Sequence, residues 1–374
     1  MIILAIIITS IYLCFIGALL YGFYRINIFN TERTKNKTTF SIIVPFRNEA
    51  KNLKILLDSI VKLQYLKTHF EILFVDDDST DNSVTIITKH FKNQEINFKI
   101  IKNNRNSNSP KKDAITSAIN NAKNDWIITT DADCQLPVLW LDTFNAFILK
   151  TKSKMVIAPV AYHNTNTFIQ QFQLIDFLSL MGATIGGFGI NKPFLCNGAN
   201  FAYLKSWFLD LKGFSGNENI ASGDDIFLLQ KAIEKDKTAV NYLKSKNAIV
   251  KTKAQPTVST LVSQRKRWAA KTSSYNSIFG KVVGLIVLLM NATIVISLVL
   301  SMLQLFSVRA LIFIFVLKSI IDFLLIYKSA DFFSQKKHLS GYILSAFIYP
   351  FFTVYIALIS MFSKYKWKGR TFKK

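Results

Sequence analysis

The sequence predicts an α/β fold: a Rossmann-like, mostly parallel sheet with helices on both faces, flanked by transmembrane helices. Three observations predict it. Between residues 40 and 130, short apolar runs alternate with helix-length amphipathic segments, the pattern of a parallel sheet built from strand–helix units. Two of those runs end in clustered aspartates, Asp76-Asp77-Asp78 and Asp131-Ala132-Asp133. Long stretches without Lys, Arg, Asp or Glu stand near both ends of the chain, long enough to cross a hydrocarbon core at about 1.5 Å per residue.

Composition narrows the class. Of 374 residues, 50% are apolar, and 46 Lys+Arg stand against 23 Asp+Glu. That excess suits an anionic membrane surface or phosphorylated substrates. The basic residues are dispersed along the chain, without the single stripe of a nucleic-acid binder, so no nucleic-acid partner is expected. Cys14, Cys134 and Cys196 show no C-x-x-C spacing, and the four histidines form no H-E-x-x-H. A disulfide scaffold and a thiolate or imidazole metal site are therefore not expected.

Residues 1–25 read as an uncleaved transmembrane anchor. They lack a basic leading region and a small-residue cleavage site, and Arg25, Arg33, Lys35 and Lys37 put the following segment on the cytoplasmic side. A domain then runs from 38 to 278. Its first strand, 40–44, closes at Pro45; a helix from Glu49 places Leu53, Leu56, Leu57 and Ile60 on one face. A second strand, 70–75, runs into the acids from Asp76 to Asp81, with Ser79 or Thr80 capping the next helix. A third strand, 97–102, a polar loop and a helix over 110–123 lead to the fourth strand, 126–130. Residues 155–160 read as a strand and 168–185 as an apolar helix on the membrane, broken at Gly186-Gly187-Phe188-Gly189. Residues 196–200 introduce a strand-like run to 204. Ser222-Gly223-Asp224-Asp225 opens a helix with Ile226, Leu229 and Ile233 on one face. A last helix, from about Thr257, carries Gln264, Arg267 and Trp268 on a common side.

Residues 281–363 provide two to three spans, and 364–374 form a basic tail with six Lys and Arg. Lys318 and Asp322, at i and i+4, can pair within the bilayer. One anchor plus three spans leaves the tail outside, against the positive-inside rule; either one apolar segment is re-entrant or interfacial, or the rule is broken.

An isolated D-x-D is compatible with a solvated turn. Here Asp76, Asp77, Asp131 and Asp133 all stand at strand carboxyl ends, where open α/β sheets bind ligands. Repelling carboxylates in one crevice call for a cation, and a divalent ion shared with a phosphate supplies it.

The ordered motifs resemble those of a membrane-integrated family 2 glycosyltransferase of GT-A fold, related to cellulose, hyaluronan and ceramide-glucoside synthases. The resemblance runs from about Phe40 to Trp268. It covers Ile43-Val44-Pro45-Phe46-Arg47-Asn48-Glu49; Val75-Asp76-Asp77-Asp78-Ser79-Thr80-Asp81, where Asp78 replaces the family's glycine; and Lys112, without its usual G-K-x-G setting. Asp131-Ala132-Asp133 matches D-x-D, Gly223-Asp224-Asp225 stands where the family has Glu-Asp, and Gln264-Arg265-Lys266-Arg267-Trp268 matches Q-x-x-R-W. The resemblance implies that Pro45, Glu49, Asp76, Asp77, Lys112 and Asp131 bind a nucleotide-sugar donor, a UDP-sugar first. Asp133 with Asp131 would support Mg²⁺ or Mn²⁺. Asp225 would be the general base, tuned by Asp224, with Arg267 on the diphosphate and Gln264 and Trp268 at the acceptor.

The expected activity is inverting, metal-dependent transfer of a hexosyl or N-acetylhexosaminyl group to a lipid-linked or growing glycan acceptor at the cytoplasmic membrane face. A processive polysaccharide synthase is the nearest alternative, although three or fewer later spans are few for a channel. An inactive envelope scaffold is another, which retention of all the acids opposes. Without the resemblance, Asp224 and Asp225 also read as helix caps, Trp268 as an interfacial anchor, Lys112 as a solvated lysine, and Asn197 and Asn200 as turn residues.

Overall fold

The computed structural model describes residues 1–32, 34–35, 37–163, 166–271, 277–362, 365–368 and 370–372. Arg33 and, in the basic tail, Lys364, Lys373 and Lys374 lie outside the described residues. The elements begin with α1 (Ile2–Arg25), β1 (Phe40–Phe46), α2 (Leu53–Val61), β2 (Phe70–Asp76), α3 (Ser83–Phe91) and β3 (Phe98–Lys102). Next come α4 (Pro110–Asn121), β4 (Trp126–Thr129), α5 (Trp140–Thr151), β5 (Met155–Ile157), β6 (Val160–His163) and α6 (Phe168–Gly189). Then follow β7 (Phe201–Leu204), α7 (Lys205–Asp210), α8 (Asp224–Asp236), β8 (Val240–Tyr242), β9 (Val250–Lys253), α9 (Val258–Ala270), α10 (Ile278–Met302), α11 (Val308–Phe332) and α12 (Tyr342–Phe362).

These elements group into two compact units. One, Asn27–His163 with Cys196–Lys253, holds the sheet; the other, Met1–Ile26 with Asn164–Leu195 and Ala254–Lys374, holds the long apolar helices. The 38–278 stretch expected as one domain is thus shared, because 164–195 and the residues from 254 onward pack with the apolar helices.

In the sheet unit, seven strands run in the order β3-β2-β1-β4-β7-β5-β8. All neighbours are parallel except β7, which is antiparallel to β4 and β5. Parallel strands covered on both faces read as continuous apolar runs. Accordingly Ile42, Ile43, Val44, Phe74, Val75, Ile127 and Ile128 are completely buried. Pro45 is tolerated because pairing with β4 stops at Ile43–Thr129, so the missing N–H falls beyond that neighbour.

Two local expectations change. The strand expected over 155–160 is two strands: β5 stays in the main sheet, and after Pro159 the chain pairs as β6 with β9. Proline cannot donate to a ladder, which makes it a place to change partners. The cap expected at Ser79 or Thr80 is also displaced, with α3 starting at Ser83. The Ser79 amide donates to Asp76 Oδ1 at 2.9 Å, and Asp81 accepts from the amides of Ala50 and Ser83 at 3.0 Å each. The acids organise the loop before the helix begins.

In the helical unit, α6 continues through Gly186-Gly187-Phe188-Gly189 instead of breaking there. The reason is α1. A Cβ on Gly22 would lie 2.1 Å from the Gly186 carbonyl oxygen, one on Gly186 2.2 Å from that of Leu19, and one on Gly189 1.8 Å from that of Gly22. The glycines let two helix backbones touch, as small residues do between apolar helices. The charge pair forms as the spacing predicts: Lys318 Nζ donates to Asp322 Oδ2 at 2.7 Å, and Tyr12 Oη of α1 donates to Asp322 Oδ1 at 2.6 Å. Among the described residues, five helices are long and apolar enough to cross a membrane: α1, α6, α10, α11 and the stretch Lys336–Phe362.

Candidate active site

The carboxyl ends of β1, β2 and β3 are level, with Phe46 opposite Asp76 and Asp76 opposite Lys102. Just past this edge, Asp77 is buried; its Oδ1 accepts from Asn103 Nδ2 at 2.8 Å and from Arg105 Nε at 2.5 Å. Arg105 also reaches Asp78 Oδ2 at 2.5 Å, while Arg47 and Arg105 both donate to the Asp77 carbonyl. Asp78 has φ +56°, the left-handed region in which glycine is at ease and aspartate is among the better-tolerated alternatives. Glu49 is buried and accepts from Asn52 Nδ2 at 2.6 Å, while its amide donates to Ser83 Oγ.

Asn103 continues the network by donating to the Pro110 carbonyl at 3.0 Å, at the first turn of α4. The two lysines that follow have different roles. Lys112, expected to contact the donor, is 2% exposed and donates to the carbonyls of Asn217 and Ile220 at 2.7 and 2.9 Å. It lies 4.9 Å from the centroid of the Phe227 ring and holds the loop that leads into α8. Lys111 is the lysine among the acids, 2.8 Å from Asp131 Oδ1 and 3.3 Å from Asp224 Oδ2. The two carboxylates push its ammonium pKa upward against the opposing effect of burial.

The acids at the start of α8 follow Gly223, whose φ of +84° turns the chain into the helix. Both Asp225 oxygens accept backbone N–H groups, Oδ2 from Gly198 at 3.0 Å and Oδ1 from Ile226 at 2.7 Å. The Gly198 carbonyl in turn accepts from Thr129 Oγ1, at the end of β4, at 2.7 Å. A Cβ on Gly198 would lie 3.0 Å from Asp224 Oδ2, 3.5 Å from Asp225 Cβ and 3.6 Å from Lys111 Nζ, so a bare glycine leaves room for the cluster. On the other side of the D-x-D, Asp133 Oδ2 accepts from Thr252 Oγ1 at 3.2 Å. Burial, with Asp133 and Asp131 nearby, pushes the Cys134 thiol pKa well up, so this cysteine is a neutral packing group and not a thiolate ligand.

Asp77, Asp131, Asp224 and Asp225 are thereby joined in one network through Asn103, Lys111 and Gly198. Sequence reasoning misses those three linking residues. Lys111 and Lys112 both flank the apolar face formed by Ala114, Ile115, Ala118 and Ile119, so periodicity could not choose between them. The sequence suggested turn residues at Asn197 and Asn200: Asn197 caps a short turn by accepting from the Ala199 amide, while Asn200 is fully buried and bonds to the carbonyls of Pro159 and Ala248. Gln264, Arg267 and Trp268 lie on α9 of the helical unit, which starts near Thr257 as expected, with the Thr257 side chain capping it. There the buried arginine is Arg265, not Arg267: it pairs with Asp176 and donates to Gln264 Oε1 at 2.6 Å.

A divalent cation fits this donor set. Among the described residues no three His, Cys, Asp or Glu side chains converge as a cage. Mg²⁺-type sites commonly use one or two carboxylates, with substrate phosphates and water completing the shell, and Asp131 and Asp133 can supply the carboxylates.

Residues 41–211, from β1 through α7, match the family model described as Glycosyl transferase family 2. That stretch is similar to the family 2 glycosyltransferases. The chain is 32% identical over 118 residues to the poly(ribitol-phosphate) β-N-acetylglucosaminyltransferase TarS of Staphylococcus aureus, covering 32% of this chain and 20% of that protein. It is 36% identical over 98 residues to an undecaprenyl-phosphate 4-deoxy-4-formamido-L-arabinose transferase of Yersinia enterocolitica, covering 26% and 29%. The chain thus spans less than a third of the length of these relatives. The mannosyltransferase PcManGT of Pyrobaculum calidifontis, solved with GDP-Man and Mn²⁺, aligns over 96% of this chain and 99% of its own. Its TM-score is 0.56 at 14% identity, a likeness of fold.

Proposed function

We propose that the protein transfers a sugar from a nucleotide-sugar donor to a membrane-associated acceptor, with inversion at the anomeric carbon. The observation that carries the reading is the array in which Lys111 bridges Asp131, at the end of β4, and Asp224, at the start of α8. This array supports a reading in which the diphosphate and general-base ends of the site adjoin. Asp77 and its arginine and asparagine partners would border the nucleotide. Asp131 and Asp133 would hold a divalent cation, Mg²⁺ or Mn²⁺. When bound, such an ion supplies Lewis-acid stabilisation for the departing diphosphate. Asp225, aligned by the Gly198 and Ile226 amides, would take the proton of the acceptor hydroxyl as that oxygen attacks the sugar.

Connectivity supports α6 as a non-crossing helix, and the basic residues Arg25, Lys35 and Lys37 after α1 support a cytoplasmic catalytic face. Strands β4 and β7 lie on either side of α6 in sequence, yet pair in one sheet. Both ends of α6 must therefore emerge on the same side of a membrane. A lipid-linked acceptor fits the apolar helices, with α1, α10, α11 and the 336–362 stretch as spans.

The test is incubation of membranes containing the protein with labelled nucleotide sugars and Mg²⁺ or Mn²⁺, followed by sizing of the product. Label in one lipid-sized species is expected; a ladder would indicate polymerisation. No incorporation from any donor would leave an inactive scaffold as the better reading. Asp225→Asn is expected to keep donor binding and lose transfer, and normal turnover by that variant would remove the base assignment.

A further inference from the structure

We propose that Lys111 is a built-in counterion that holds Asp131 and Asp224 together before donor arrives and competes with a divalent cation for Asp131. The proposal rests on the glycosyl-transfer reading above and adds a control on metal binding to it. Lys111 is positioned from both sides. Its helix begins at Pro110, whose carbonyl is bound by Asn103, and the adjacent Lys112 is fixed to the carbonyls of Asn217 and Ile220. Its side chain is only 18% exposed and lies 2.8 Å from Asp131 Oδ1 and 3.3 Å from Asp224 Oδ2.

Of the two acids of the D-x-D, Asp133 accepts from the Thr252 hydroxyl at 3.2 Å. Asp131 already accepts from a full positive charge. A divalent ion cannot use that same oxygen direction, and two cations at this separation repel. Binding at Asp131 therefore requires the ammonium to withdraw towards Asp224 or towards incoming phosphate oxygens. A diphosphate would favour that movement because it offers Lys111 a new anion. Metal and nucleotide should then bind with positive coupling, and metal alone should bind weakly.

The test uses the full chain in lipid nanodiscs, with Mn²⁺ alone as the probe and free Mn²⁺ counted by electron paramagnetic resonance. Lys111→Met and Lys111→Gln, checked for folding by thermal unfolding, are expected to bind Mn²⁺ tighter than wild type by roughly tenfold or more. Lys111→Arg, which keeps the charge, should stay near wild type. In the unaltered protein, Mn²⁺ should raise acylation of Lys111 by an amine-reactive reagent, read by peptide mass spectrometry; this arm decides the matter if the neutral variants do not fold. Unchanged or weaker Mn²⁺ affinity in folded neutral variants overturns the proposal, as does Lys111 labelling that Mn²⁺ leaves unaltered. Wild-type turnover tests the underlying reading separately. Sugar transfer without the affinity gain keeps the reading and removes the counterion, whereas the gain without transfer from any donor does the reverse.

Discussion

Arg105 reaches Asp78 across 2.5 Å while Asp78 holds the left-handed backbone, φ +56°, where the family pattern has glycine. The same guanidinium binds the neighbouring, buried Asp77. Asp78→Gly would relieve backbone strain of about 1 kcal/mol and lose a half-exposed ion pair worth at most about 1 kcal/mol. The two effects nearly cancel, so the melting temperature should change little. Arg105→Ala should cost more, about 1–3 kcal/mol, because it strips a charged partner from a buried carboxylate. Thermal unfolding of both variants checks this, and equal losses would mean that the ion pair to Asp78 matters more than the bond to Asp77.

Lys112 and Lys111 should separate by phenotype. Lys112→Met removes the donor from the carbonyls of Asn217 and Ile220, in the loop that delivers Asp224 and Asp225. The expected cost is about 1–3 kcal/mol for buried acceptors left unmet, with transfer reduced through kcat and little change in donor KM. A large rise in donor KM at unchanged stability would instead return Lys112 to the donor contact that the sequence suggested.

That contrast shows what was legible in the chain. The parallel sheet could be read because apolar runs ending in Asp76 and Asp131 carry both the strand signal and the carboxyl-edge signal. The acids at the strand ends, Asp76, Asp77, Asp131 and Asp133, stood out because carboxylates there mark the ligand edge of an open α/β sheet, whereas Asp224 and Asp225 also read as helix caps and took their expected role from the resemblance. The choice between adjacent lysines at the start of α4 could not, since it depends on carbonyls near Asn217, more than a hundred residues away. The continuation of α6 through Gly186 and Gly189 was hidden for a related reason. Glycine weakens an isolated helix, and only the approach of α1 turns that weakness into close packing.

The glycines of the helical unit therefore give a graded test. A Cβ added at Gly17 would meet no atom within 4 Å, whereas one on Gly189 would sit 1.8 Å from the Gly22 carbonyl oxygen. Gly17→Ala should be neutral or stabilising by up to about 1 kcal/mol, since alanine is the better helix former. Gly189→Ala must force α1 and α6 apart, and a loss of roughly 1–3 kcal/mol is expected from overpacking. Unfolding in detergent ranks the two. Equal stability would show that α1 and α6 can separate without cost.

Arg265 provides the last test, because the Q-x-x-R-W resemblance drew attention to Arg267. Arg265 is 7% exposed, with Nε and Nη2 each 2.7 Å from Asp176 Oδ2 of α6. Its guanidinium lies 4.2 Å from the centroid of the Trp268 ring, and Nη1 donates to Gln264. One side chain thus orients both flanking members of Q-x-x-R-W. Arg265→Met leaves Asp176 buried without this partner and should cost about 3–5 kcal/mol. Arg265→Lys keeps a charge but loses the planar fork that serves Asp176 and Gln264 together, so stability should recover only in part. Adding Asp176→Leu to Arg265→Met removes the stranded charge and should restore much of the loss. If the double variant is no more stable than Arg265→Met, the pair with Asp176 is not what holds this arginine. In that case its contacts with Gln264 and Trp268 must dominate.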